Sequence, residues 1–137
     1  MTITSPAFAH SNSIPAQYTC SGANLSPALS WSNIPAETKS LVLIMHDPDA
    51  PAGDWLHWLV INIPVTTQQV AENTSPLGGV VLTPYDGPCP PNGEHRYMFD
   101  LYALDVATIT AQDRSNVEQA IIGHILAQGT LMGVYKR

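Results

Sequence analysis

The chain has 137 residues, enough for one core, and they are read as a single domain spanning 1–137 with no separate catalytic or regulatory domain. Hydrophobic residues make up 45% of it and charged residues 12%, a balance that excludes a disordered chain. The net charge of -6 opposes the phosphate backbone of nucleic acid, so an anionic ligand has to be held by local donors in a pocket.

No basic segment followed by an apolar one opens the chain, and no stretch approaches the roughly 20 apolar residues of a membrane span. A soluble, cytoplasmic protein is the expectation. Twelve prolines lie between Pro6 and Pro91 and none beyond, which places short strands and turns first and any long helix near the C-terminus.

In chain order, weak strand signals occur at Ile3–Ala7 and Ala28–Trp31. Leu41–His46 is a near-continuous apolar run, as expected of a strand covered on both faces. It leads into His46-Asp47-Pro48-Asp49-Ala50-Pro51, a proline-stiffened loop. In the simplest reading, Asp47 and Asp49 there make Asx-type bonds to nearby N–H groups. A sharp turn out of a core strand also makes Ala50-Pro51 a candidate cis peptide.

Trp58–Ile63 is the second core strand. If the extended conformation begins at Trp55, strict alternation puts Trp55 and His57 on the face of Leu59, Ile61 and Ile63. A weak strand at Val80–Leu82 is followed by Gly87-Pro88-Cys89-Pro90-Pro91. Arg96–Leu104 is the third core strand, with His95 and Tyr97 on the face of Phe99, Leu101 and Ala103. Arg96, on the opposite face, needs a carboxylate from the 47–49 loop.

Ser115–Ala127 carries apolar residues and His124 at helical spacing, with Ser115 and Glu118 as a capping box and Gly129 as the C-cap. Thr130–Lys136 reads as a closing strand. Many strands with Pro/Gly turns and one late helix predict an all-β fold, an antiparallel β-sandwich with one C-terminal α-helix.

Two imidazoles, a phenol and backbone N–H groups can donate to phosphate or carboxylate oxygens, while Asp47 can orient an imidazole or receive an ammonium group. A zwitterionic head group suits both signs. His57, His95 and Asp47 lack HxH or HExxH spacing, so neither metal nor cofactor is expected. No GxSxG elbow is present, and Cys89 has no helix N-terminus to activate it. A hydrolase with Asp47 as base and His57 or His95 as acid is a third, weaker reading.

The succession Asp47-Pro48-Asp49-Ala50-Pro51, Trp55-Leu56-His57-Trp58, Gly87-Pro88-Cys89-Pro90-Pro91 and His95-Arg96-Tyr97 resembles the phosphatidylethanolamine-binding (Raf-kinase-inhibitor-like) family, particularly its short prokaryotic branch. Tyr18-Thr19-Cys20-Ser21-Gly22, Ser26-Pro27 through Trp31, Leu101–Asp105 and Gly133-Val134-Tyr135 extend the likeness over nearly the whole chain. The resemblance implies a Greek-key β-sandwich with an anion pocket at one end, lined by Asp47, Pro51, His57, Pro88, His95 and Tyr97. Asp49, Trp55 and Arg96 are its structural support.

The resemblance further implies binding of phosphate, phosphorylated head groups or similar anions without turnover, and, in some members, inhibition of kinases or serine proteases. It brings Cys20 and Cys89 near the pocket end, where a reducing cytoplasm would keep both as thiols. Two departures set this chain apart. Ser75–Pro84 (SPLGGVVLTP) lacks the Asn-x-x-Gly element of bacterial relatives, which suggests a more open rim; the C-terminal extension of animal relatives is missing too, so their specificities are not carried over. Whether two chains pair into a homodimer is left open.

Overall fold

The structure is a computed structural model describing residues 1–137. Eight strands form two antiparallel sheets. The larger has the order β6 (Val80–Thr83), β4 (Trp55–Ile63), β3 (Ser40–Asp47), β7 (His95–Leu104), β8 (Ile125–Tyr135). The smaller has the order β1 (Thr2–Thr4), β2 (Leu29–Ser32), β5 (Gln69–Val70). A short 3-10 turn occupies Ala16–Tyr18, and one α-helix, α1, spans Arg114–Ala120.

The continuous apolar run of β3 follows from its central place in three layers. Leu41, Leu43 and Met45 face the small sheet, where Ile3, Leu29, Trp31 and Val70 complete the main core. Val42 and Ile44 face the other way, and with Leu59, Ile61 and Leu104 they are covered by Ile109 and by Val117 and Ile121 of the helical segment. Burying both faces of a strand removes the polar alternation that one wet face would impose.

The strict alternation expected along β4 is not what the strand does. Met45 pairs with Trp58 and His46 with Leu56, so His57 is an extra residue; Leu41 pairs with Ile63 and Leu43 with Val60, a second insertion. Each bulge shifts the faces by one residue. Trp58, Val60 and Ile63 therefore enter the main core while Leu59 and Ile61 pack under the helix. The second bulge holds Asn62 at φ 54°, where its amide exchanges two bonds with the backbone of Ile109, at 2.8 and 3.2 Å.

The helix is shorter than its spacing suggests. Asp113, not Ser115, is the N-cap, accepting from the Asn116 N–H at 2.8 Å. Gly123 at φ 81° turns the chain, and Ile125 already pairs with Leu104 in β8. Gly129 is no cap: it pairs with Leu101 inside β8, where a Cβ would come within 2.8 Å of the Met1 carbonyl oxygen. Apolar residues here alternate for a strand in a stretch whose earlier half reads as helix.

Two further expectations are corrected. Every peptide bond is trans, Ala50-Pro51 included. Cys20 and Cys89 form a disulfide, with Cα atoms 5.4 Å apart, in place of two free thiols. No helix is long and apolar enough to cross a membrane.

Candidate anion-binding site

Antiparallel pairing gathers the site. β3 runs out at Asp47 opposite Trp55 of β4, and His46 lies opposite Met98 of β7, so the starts of β4 and β7 meet the end of β3 at one end of the sheet. The bulge at His57 turns that ring to the side of Tyr97, edge-on to it at a centroid distance of 5.3 Å. The His95 and Tyr97 rings lie 6.4 Å apart and nearly parallel.

The resulting pocket has a volume of about 410 Å³. Of the six expected lining residues, Asp47, Pro51, His57, His95 and Tyr97 line it. Pro88 does not: its carbonyl accepts from the Cys20 N–H at 3.1 Å, and Gly87, Cys89, Pro90 and Pro91 face the cavity from this loop instead. Ala50, Ala52, Trp55 and Asp86 complete the wall. Trp55 is a mouth residue, 58% exposed, and not only a support. Nothing between Pro64 and Tyr85 lines the pocket, so the shortened segment leaves this rim untouched.

Asp47 and His95 are both buried, and Asp47 Oδ2 accepts from His95 Nδ1 at 2.7 Å. The other Asp47 oxygen accepts from the Asp49 N–H at 2.8 Å, the Asx turn of the simplest reading. The turn and the histidine clamp thus use opposite oxygens of one carboxylate. Asp49 in turn receives Nε and Nη2 of Arg96 and the Arg96 backbone N–H, each at 2.9 Å. That bidentate grip holds the Asp49 carboxyl at about 2, well below the usual range. Arg96 has the partner expected, on a face that is exposed and not buried.

His57 Nδ1 bonds to the backbone carbonyl of Asp86, which can only accept. Burial pushes the His57 pKa below its ordinary value, against the opposing pull of that carbonyl and of Asp47. Both histidines therefore carry their first proton on Nδ1 and leave Nε2 as the free ring nitrogen. Asp86 escaped the sequence reading because it acts through its main chain, and no side-chain motif marks a carbonyl.

Tyr97 is fully buried, and its hydroxyl lies against the Asp47 carboxylate and the Cys89 N–H but completes no well-aligned hydrogen bond. Burial, together with Asp47, raises its pKa, so it stays a phenol and a donor. No group of three or more His, Cys, Asp or Glu side chains is arranged to hold a metal ion.

Residues 4–136 match the model of the family described as phosphatidylethanolamine-binding protein. The UPF0098 protein of Methanothermobacter thermautotrophicus is 42% identical, covering 100% of this chain and 99% of the relative. CT736 of Chlamydia trachomatis, a phosphatidylethanolamine-binding protein homologue, superposes with a TM-score of 0.90 at 38% identity, over 99% of this chain and 97% of that one. Escherichia coli YbcL superposes with a TM-score of 0.89 at 28% identity, over 99% and 98%. A carboxypeptidase Y inhibitor in complex with its cognate proteinase shares the fold at 19% identity and a TM-score of 0.65, over 97% of this chain and 81% of that one.

Proposed function

Because this chain belongs to the phosphatidylethanolamine-binding protein family, we propose that its pocket binds a small oxyanion, either phosphate or a phosphorylated, zwitterionic head group, without turning it over. The observation that supports this most directly is His95 at the wall of the pocket, clamped through Nδ1 by Asp47 so that Nε2 is the ring nitrogen left for a ligand. Asp86 and Trp55 at the same wall suit an ammonium group, one by charge and the other by its ring face.

The fixed tautomers decide how the anion is held. With both Nδ1 protons committed, each Nε2 presents a lone pair to an oxyanion until a second proton arrives. Sulfate, which brings no proton, has to recruit one from solvent; dihydrogen phosphate can donate its own. Sulfate affinity should therefore rise as pH falls toward the lowered His57 value, by at most about tenfold per unit for a proton taken up there. Phosphate affinity should depend on pH less steeply.

Calorimetry in buffers of different ionisation enthalpy reads both the affinity and the proton uptake. His95→Ala should weaken sulfate binding more than about tenfold, the loss expected of one charge-assisted bond. His10→Ala, remote from the pocket, should leave it unchanged. Equal affinity in wild type and His95→Ala would remove the pocket from consideration. A parallel series with phosphoethanolamine against phosphate tests the ammonium subsite.

Inhibition of a kinase or serine protease is the other reading that the resemblance raises. It is supported only by likeness of fold to the carboxypeptidase Y inhibitor, whereas the pocket supports ligand binding directly. The disulfide fits an oxidising compartment better than the cytoplasm.

A further inference from the structure

His46 adjoins Asp47 in β3 but takes no part in the pocket; it faces the opposite cleft, beneath α1. Both of its ring nitrogens are engaged: Nδ1 lies 2.8 Å from Asp54 Oδ1 and Nε2 lies 2.8 Å from Asp100 Oδ2. Ionised carboxylates only accept, and a neutral imidazole has one N–H to give. The two bonds coexist only while the ring carries both protons.

The two carboxylates belong to different parts of the molecule. Asp100 lies within β7, where Thr130 Oγ1 donates to its other oxygen at 2.7 Å. Asp54 closes the 48–54 loop, whose Ala50, Pro51 and Ala52 line the pocket. The charged groups around His46 are Asp54 from that loop, Asp100 from β7, and Arg114 and Glu118 from α1; His57 on β4 feels its charge through the sheet, and β8 offers only Gln128 and Thr130.

We propose that His46 is a proton-operated latch: doubly protonated it ties the pocket-rim loop to β7, and on losing one proton it releases Asp54. Asp54 is the partner released because its side chain is 40% exposed against 14% for Asp100, so water can solvate it opposite a lone pair. Arg114, which holds Asp54 Oδ2 at 2.9 Å while also pairing with Glu118, is then the remaining tether of Asp54, while Asp49 keeps the start of the loop on Arg96, so the release acts on the Asp54 end.

Asp100, and then Asp54, raise the His46 pKa despite its burial. A raised folded-state pKa means that the latch is fully closed below the ordinary histidine value and opens as pH rises through the raised one. Loop order should therefore be high below the ordinary histidine value and fall as pH rises above it through the raised one.

The inference rests on the proposed function only in treating this loop as a pocket rim, and its test needs no ligand. Ring ¹⁵N spectra of the full chain should show His46 keeping both protons above the ordinary histidine value. Amide exchange over residues 50–54, corrected for the intrinsic effect of pH, should lose on the order of tenfold protection as pH rises through the raised His46 value. His46→Gln and Asp54→Asn should each abolish that pH dependence. The latch is overturned if His46 loses its second proton at or below the ordinary histidine value, if loop protection is flat across its titration, or if the dependence persists in His46→Gln. Loop behaviour as expected with no sulfate binding would instead remove the pocket reading and keep the latch.

Discussion

Tyr97 joins the core to the pocket wall. Its ring packs in the core while its hydroxyl, close to Asp47 and the Cys89 N–H, completes no well-aligned bond and so remains a poorly satisfied buried donor. Tyr97→Phe keeps the ring's volume and removes that donor. In chemical denaturation without ligand it should be as stable as wild type or more so, by up to about 1 kcal/mol. The same substitution should weaken sulfate binding in calorimetry. A variant that is less stable yet binds sulfate normally would show that the hydroxyl is satisfied within the fold. His57 adds a pH signature of opposite sign to His46. Its folded pKa is depressed, so the stability it contributes is present above the ordinary histidine value and lost as pH falls toward the lowered one.

Among the elements, β4 does the positioning, and it does so by departing from regular alternation. Its first bulge places His57 beside Tyr97, and its second, at Asn62, returns Ile63 to the main core. Asn62 suits this place twice over: asparagine tolerates the left-handed region, and its amide satisfies both backbone groups of Ile109. Asn62→Ala should destabilise the protein by about 1–3 kcal/mol, through backbone strain and two unpaired backbone groups. Urea denaturation checks this, and a cost near zero would mean that water replaces the amide without loss. The helix that covers this side is held at its start by Asp113 and ends at Ala120, and the chain turns at Gly123. The sequence pointed to Gly129 as the cap, because the apolar residues on either side of Gly123 bridge the helix and strand periods.

At the scale of the molecule, the Cys20–Cys89 bridge joins the segment after the 3-10 turn to the loop that walls the pocket, closing 69 residues of sequence. A loop of that length implies about 4 kcal/mol of stabilisation through the unfolded chain. Reduction, or a paired Cys20→Ala and Cys89→Ala variant, should lower denaturation stability by that order. The Cys20 N–H to Pro88 carbonyl bond and the Tyr85 hydroxyl to Tyr18 carbonyl bond at 2.7 Å should still hold the loop in place. Unchanged sulfate affinity after reduction, with lower stability, is the expected pair of results. Composition, proline placement and apolar runs were enough to identify an all-β chain with three core strands, and clustered His, Asp and Tyr residues at the strand ends marked most of the pocket. Those signals are local, set by which face or turn each residue can occupy. Pairings across many residues were decided only by the tertiary structure: His95 with Asp47, His57 with the Asp86 carbonyl, His46 with Asp100, and one cysteine with the other. Bulges shift the faces that periodicity assumes, and a main-chain carbonyl leaves no trace in residue type, so the tautomers, and with them the chemistry of the site, emerge only once the strands are in register.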